Sequence, residues 1–289
     1  MFFELLQTAW DQIRAHRLRS TLTGLGIIIG IGTVILIVSV LEGYRSRIEA
    51  ELNVLGANTF QVQRYPQGGV ETGPNRRKPR KKLTPQLAEA IREHCPSVLQ
   101  VGVEAWRFGQ VVAYQGKKTN PNVNVAGGSA TFADLNGYAV AEGRFLTPRD
   151  VRTHARVIIL GTDVVDQLFD WESPLGKVVR LGGQKFRVIG VFEKQGSATF
   201  GRSRDNLVVI PFTTYQDIFE REPDIHILVQ AASPELMERA QDEVIAVLRR
   251  LRKVPPGKEN DFEIFSNQTL IESFNKVARI IQLGGVALG

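Results

Sequence analysis

The chain has one cysteine, Cys95, which excludes an intramolecular disulfide framework and leaves the fold to rest on its own core. Its four histidines, at positions 16, 94, 154 and 226, are scattered, and only His94 has a cysteine beside it. A metal site needs three or four ligands, so one His-Cys pair does not make one. No G-x-x-x-x-G-K-[ST] occurs, which excludes a P-loop for ATP on this polypeptide, and G-x-S-x-G and H-E-x-x-H are equally absent. No catalytic, cofactor-binding or metal-binding residues are therefore expected. Charge is missing too along one stretch: Ser20 to Leu41, STLTGLGIIIGIGTVILIVSVL, carries no ionisable side chain.

An apolar run of 18 or more residues is long enough for a helix to cross a hydrocarbon core of roughly 30 Å. Residues 20–41 are therefore expected to be a transmembrane helix. A cleavable signal peptide would have a shorter apolar core and a small-residue cleavage site, whereas the run leads out through Ser39-Val40-Leu41-Glu42. Ahead of it, Phe2, Phe3, Leu5, Leu6, Ala9, Trp10 and Ile13 recur at helical spacing opposite Glu4, Gln7, Thr8, Asp11 and Arg14. Residues 1–19 thus read as an amphipathic helix lying at the cytoplasmic membrane surface, with packing against protein as the alternative. Arg14, Arg17 and Arg19 crowd the N-terminal edge, while Arg45 and Arg47 are interspersed with Glu42, Glu49 and Glu51. The positive-inside rule then places the N-terminus in the cytoplasm and the main domain outside. Gly26 and Gly30 form a G-x-x-x-G within the run, a spacing that lets a second helix approach closely.

The rest of the chain alternates strand and helix signals. Thr59 to Gln63 reads as a strand, Thr84-Pro85 as the start of a helix reaching His94, and Val98 to Val103 as a second strand. The pattern recurs as a strand from Ile225 to Val229 and a helix from Ser233-Pro234, then a strand from Phe262 to Phe265. That second helix carries a stripe of Leu236, Met237, Ala240, Val244, Val247, Leu248 and Leu251. Two β-α-β units so far apart suggest one α/β subdomain, residues 42–104 and 224–275, with a β-rich subdomain, residues 105–223, inserted into it. Within the insert, Lys177–Leu181 and Gln184–Val191 flank Gly182-Gly183 as a hairpin, and Arg156–Leu160 and Leu207–Ile210 are further strands. Short helices are expected over Asp163–Phe169 and Thr213–Phe219. Residues 276–289 end in IIQLGGVALG, too short to span a bilayer, and read as the start of a second transmembrane helix that is cut off.

Two loops are candidates for contact with partners. The net charge of +6 owes much to Arg76, Arg77, Lys78, Arg80, Lys81 and Lys82, which follow a Gly- and Pro-rich stretch. Such a cluster is either a solvated loop or a contact for anionic headgroups or an acidic partner; without interleaved aromatics, nucleic acid is not expected. The second loop, Gln195 to Arg202, offers Gly196, Phe200, Gly201 and Arg202 as a candidate partner surface, with a plain connection between strands as the alternative.

Several short motifs occur in one order: Arg17-Leu18-Arg19-Ser20-Thr21-Leu22-Thr23-Gly24-Leu25-Gly26-Ile27-Ile28-Ile29-Gly30, Leu55-Gly56-Ala57-Asn58-Thr59, Glu142-Gly143-Arg144-Phe145-Leu146, Val157-Ile158-Ile159-Leu160-Gly161, Pro174-Leu175-Gly176-Lys177 and Phe186-Arg187-Val188-Ile189-Gly190-Val191. In that order they resemble the N-terminal part of MacB-type ABC transporter permeases, the group that includes LolC/LolE and FtsX-like proteins. The resemblance covers nearly the whole chain. It implies an α+β fold: an N-terminal transmembrane helix, then a periplasmic porter-like α/β subdomain carrying a β-rich insert. It also implies an ATPase partner subunit that binds the ATP and Mg, with no cofactor on this chain. A second permease copy or homologue, and a periplasmic adaptor or cargo protein, are further implied partners. The implied place is the bacterial inner membrane. The implied function is to couple cytoplasmic ATP hydrolysis to movement of the outer domain for export or extraction of a substrate. An FtsX-like scaffold or regulator that moves no substrate is the alternative.

Overall fold

The computed structural model describes residues 14–51, 58–65, 80–196 and 203–266. The chain divides into two compact units, residues 1–50 with 270–289 and residues 51–269, each taken here by itself.

In the first unit, helix α1 (Arg17–Glu51) is unbroken over 35 residues. The helix contains the apolar run of residues 20–41 and continues past it, because loss of apolarity does not end a helix. Glu42, Arg45, Arg47, Glu49, Ala50 and Glu51 are good helix formers, and no proline follows the run. Leu18, Leu22, Leu25, Ile28, Ile31, Ile35 and Leu36 of α1 are exposed. The hydroxyls of Thr21, Thr23 and Thr33 donate to the carbonyls of Arg17, Arg19 and Ile29 at 2.7–2.9 Å, leaving no unpartnered polar group on those turns. Among the described residues no helix is long and apolar enough to cross a membrane; the side chains of Val34, Ile37, Val38 and Val40 and those from Leu41 on lie outside that description. The interfacial helix expected over residues 1–19 lies outside the described residues up to Ile13, as do residues 267–289.

The second unit begins with β1 (Thr59–Gln63), α2 (Pro85–His94), β2 (Val98–Gln110), β3 (Val112–Tyr114), β4 (Lys117–Lys118) and β5 (Val123–Gly128). It continues with α3 (Phe132–Asn136), β6 (Val140–Gly143), α4 (Pro148–Arg152), β7 (Val157–Leu160), α5 (Thr162–Leu168), β8 (Val178–Leu181) and β9 (Gln184–Phe192). It closes with β10 (Leu207–Pro211), α6 (Phe212–Ile218), β11 (Ile225–Ala231), a 3-10 turn (Pro234–Leu236), α7 (Met237–Arg252) and β12 (Glu263–Ser266). The fold is α+β.

One sheet carries all of these strands in the order β12-β1-β11-β2-β5-β10-β7-β9-β8-β3-β4, with β6 on β9. The first four are mutually antiparallel. Their order is that of a split β-α-β pair: β1-α2-β2 straddles β11, and β11-α7-β12 straddles β1. Phe60 and Val62 of β1 and Ile227 and Val229 of β11 point to one face. There they join Ala88 and Ile91 of α2 and Ala240, Val244 and Leu248 of α7 in one buried cluster. Pro85 opens α2 at its first position, yet Thr84 makes no side-chain cap; its carbonyl accepts from the Leu87 amide instead. The expected α7 stripe is buried at Ala240, Val244, Val247 and Leu248, while Leu251 is exposed.

Strand β2 is longer than its expected end at Val103. It pairs with β11 up to Ala105 and with β5 from Glu104 to Gln110. The expected junction between residues 104 and 105 thus falls inside a continuous strand. The β8–β9 hairpin turns through Gly182-Gly183, both with positive φ, as the Gly-Gly pair predicts.

Candidate partner surface

Asp205, nearly fully buried, closes the base of the β9–β10 loop. Its carboxylate accepts from the amides of Gln195 at 2.7 Å and Gly196 at 2.8 Å, and the Arg204 amide donates to the Gly196 carbonyl at 3.1 Å. Gly196 sits at φ +87°, a conformation other residues adopt only under strain. Phe200, Gly201 and Arg202 lie outside the described residues. The Arg204 guanidinium lies over the Tyr138 ring, 5.6 Å from its centre. Tyr138 belongs to an aromatic group in which Phe132 meets Trp106, Tyr138 and Phe145 at 5.9–6.2 Å, and Phe192 meets Tyr138 and Phe145. Burial raises the Tyr138 hydroxyl pKa, with Arg204 opposing, so the ring stays neutral beside the cation.

The basic cluster is largely engaged where it is described. Arg64 and Arg80 exchange side-chain bonds with each other's carbonyls, and both guanidinia lie over the Tyr65 ring. Arg80 also pairs with Glu263 at 2.7 Å. Lys82 pairs with Glu220 at 3.0 Å and donates to the Glu222 carbonyl. Lys81 reaches the Arg252 carbonyl, and buried Arg252 returns bonds to the carbonyls of Lys81 and Lys82 while held by Asp261 at 2.7 Å. Arg76, Arg77 and Lys78 lie outside the described residues. Among the described residues, a Cβ added at Gly26 or Gly30 of α1 would meet nothing within 4 Å.

Sequence reasoning missed a polar cluster on the sheet face opposite the two helices. Glu104 is 1% exposed and accepts from Asn136 Nδ2 at 2.8 Å; Gln61 Nε2 and His226 Nδ1 approach it at 3.5 and 3.3 Å. Gln63 extends the cluster by donating to Gln61 Oε1 at 2.8 Å. Alternation along β1, β2 and β11 put these residues on one face, but nothing local marked them as partners. Two other histidines bond elsewhere, His94 to its own helix and His154 to Asp217. Cys95 is buried, which pushes its thiol up to about 11 with help from Glu243. Among the described residues no group of acidic, His and Cys side chains could hold a metal.

Comparison with known proteins agrees with this picture. Residues 20–247 match the profile of the MacB-like periplasmic core domain. The macrolide export ATP-binding/permease protein MacB of Syntrophobacter fumaroxidans is 35% identical over 73% of this chain and 29% of its own length. The pyoverdine export ATP-binding/permease protein PvdT of Pseudomonas aeruginosa is 26% identical over 97% of this chain and 40% of its own length. The chain therefore spans less than half of either relative. The crystal structure of the periplasmic region of MacB from Actinobacillus actinomycetemcomitans has a TM-score of 0.63 at 21% identity, covering 79% of this chain and 97% of that one. At that identity the likeness is one of fold. With the profile matched over most of its length and the fold in agreement, the chain belongs to the MacB-type ABC permease family through its MacB-like periplasmic core domain.

Proposed function

We propose that this chain is the permease part of an ABC transporter in the bacterial inner membrane, where it transmits the work of a cytoplasmic ATPase to a periplasmic domain. Relatives named as ATP-binding/permease proteins support the pairing with an ATPase, and in this reading ATP and Mg belong to that partner. Membrane placement rests on the uncharged run from Ser20 to Leu41, contained in one helix with self-bonded threonines. The G-x-x-x-G of Gly26 and Gly30 suits packing against another membrane helix of the permease or of a second copy. In this reading β1, β2, β11 and β12 with their two helices form the porter-like part, and residues between β2 and β11 form the insert. The loop based on Asp205 would meet an adaptor or cargo.

The observation that carries the reading is the pairing of β1 with β12. Phe60 faces Ser266 and Val62 faces Ile264, so the chain comes into the sheet and leaves it at the same end of one strand pair. Two helices flanking this domain would thereby act on adjacent strands, and a small shift of one against the other would turn the domain as a body. Spin labels at exposed Leu99 on two copies within the assembled transporter test this. Their separation should change between nucleotide-free and ATP-trapped states. An unchanged separation in every nucleotide state overturns the mechanical reading.

A further inference from the structure

Trp171 lies in the turn between α5 and β8 with its indole fully exposed, at 101% of the reference area. Beside a concavity, an aromatic side chain left in water can offer its ring face to a ligand. The concavity is open, about 460 Å³, and is lined by Tyr114, Gln115, Lys117, Asp170, Trp171 and Glu172 over a Leu168 floor. That volume falls within the roughly 300–1,000 Å³ of small-molecule sites.

The walls are built on core residues. Leu168 is 1% exposed, and the rings of Tyr114 and Phe169 pack at 4.4 Å. Gln115 sits at φ +44° and Gly116 at +87°, so the β3–β4 turn holds the amide of a non-glycine residue at the rim in a conformation that costs free energy. Gln115 Nε2 donates to the Tyr114 hydroxyl at 3.0 Å, and that hydroxyl also bonds Glu172. Lys117 pairs with Asp170 at 2.5 Å, and Lys177 with Glu172 at 2.7 Å.

These pairings set the ligand class. Each charge at the rim already has its counterion, so an ionic ligand would have to break a pair to gain one. The lining presents an amide, a hydroxyl, carboxylates and an ammonium, which both donate and accept, around one aromatic face. Hydroxyls that donate and accept at once match such a lining. A pyranose ring also offers a face of C–H bonds, whose positive edge is attracted to the negative face of an indole. We propose that the Trp171 concavity binds a neutral oligosaccharide, with the indole stacking on one ring and Gln115, Asp170 and Glu172 bonding its hydroxyls. All of these residues lie within the second unit, and the site stands whether or not the chain belongs to a transporter that moves cargo.

The test titrates the full chain, held in a detergent without a sugar headgroup, with chitotriose, cellotriose and maltotriose, reading heat and tryptophan fluorescence. At least one trisaccharide should bind saturably with a Kd at or below about 1 mM. Trp171→Ala should weaken that binding at least about tenfold, and Gln115→Ala by a smaller factor, with unchanged thermal unfolding because the indole touches little of the fold. Flat titrations with all three sugars overturn the proposal, as expected if the indole anchors a protein instead. Binding that survives Trp171→Ala overturns it as well.

Discussion

Asp150 caps α4 and anchors Arg144 with the same carboxylate. It accepts from the amide and hydroxyl of Thr147 at 2.9 and 2.7 Å, and from two nitrogens of Arg144 at 2.6 and 3.2 Å. The Arg144 bonds, with those from Thr147, hold its pKa down to about 2 against the opposing effect of burial. The folded-state value lies below the unfolded one, so the native state binds fewer protons and the stabilisation is full above about pH 4. It is lost as pH falls from there through about 2. Half-exposure of Arg144 weakens the pair, so Asp150→Asn should cost about 1–2 kcal/mol near pH 7. Urea midpoints of wild type and variant should converge as pH approaches 2, and a constant difference would refute the charge pairing. Thr147-Pro148-Arg149-Asp150 is a capping-box pattern that could have been read from sequence. Glu104 is different, since its burial and its bond to Asn136 depend on α3 folding back across β2.

Among the elements, the close approach of α6 and α3 to β5 rests on missing side chains. A Cβ at Gly127 would fall 2.4 Å from the Tyr215 Cβ of α6, and one at Gly128 would fall 2.8 Å from the Phe132 ring of α3. Gly127→Ala must push α6 outward, and it should destabilise the domain by about 3 kcal/mol, read as a lower urea midpoint. A variant as stable as wild type would mean that α6 does not sit on that glycine. The β8–β9 hairpin was legible because Gly182-Gly183 fits its turn. The β3–β4 hairpin was not, because Gln115 stands where the turn needs a positive φ and carries no such signal. Helix α1 was legible in kind but not in length, since periodicity marks a face and apolarity a solvent, and neither marks a stop.

For the whole molecule, the strands by which the chain enters and leaves the sheet, β1 and β12, are neighbours. The proposed topology rests on the charge asymmetry at Arg14, Arg17 and Arg19 and is open to direct measurement. Alkaline phosphatase fused after Ser266 should be active in cells, and the same reporter fused ahead of Arg17 should be inactive. The reverse pattern would place the core domain in the cytoplasm and remove the permease reading. One relative is named for macrolide export and another for pyoverdine export, so the shared fold by itself does not name a cargo.

Local chemistry alone determined the uncharged helix, the two β-α-β units, the Gly-Gly hairpin, the α+β class and the absence of a nucleotide motif. Each of these is written in spacings of a few residues, where period and turn geometry act directly on the backbone. Only the tertiary structure decided that β12 lies beside β1, and that β2 runs through the junction between the expected subdomains. It also decided that Arg80, Lys81 and Lys82 fasten the fold, and that Trp171 alone among the described aromatics stands wholly in water. Those outcomes join residues far apart in sequence. They depend on which apolar faces and charges can be satisfied together, and no short stretch of chain encodes that choice.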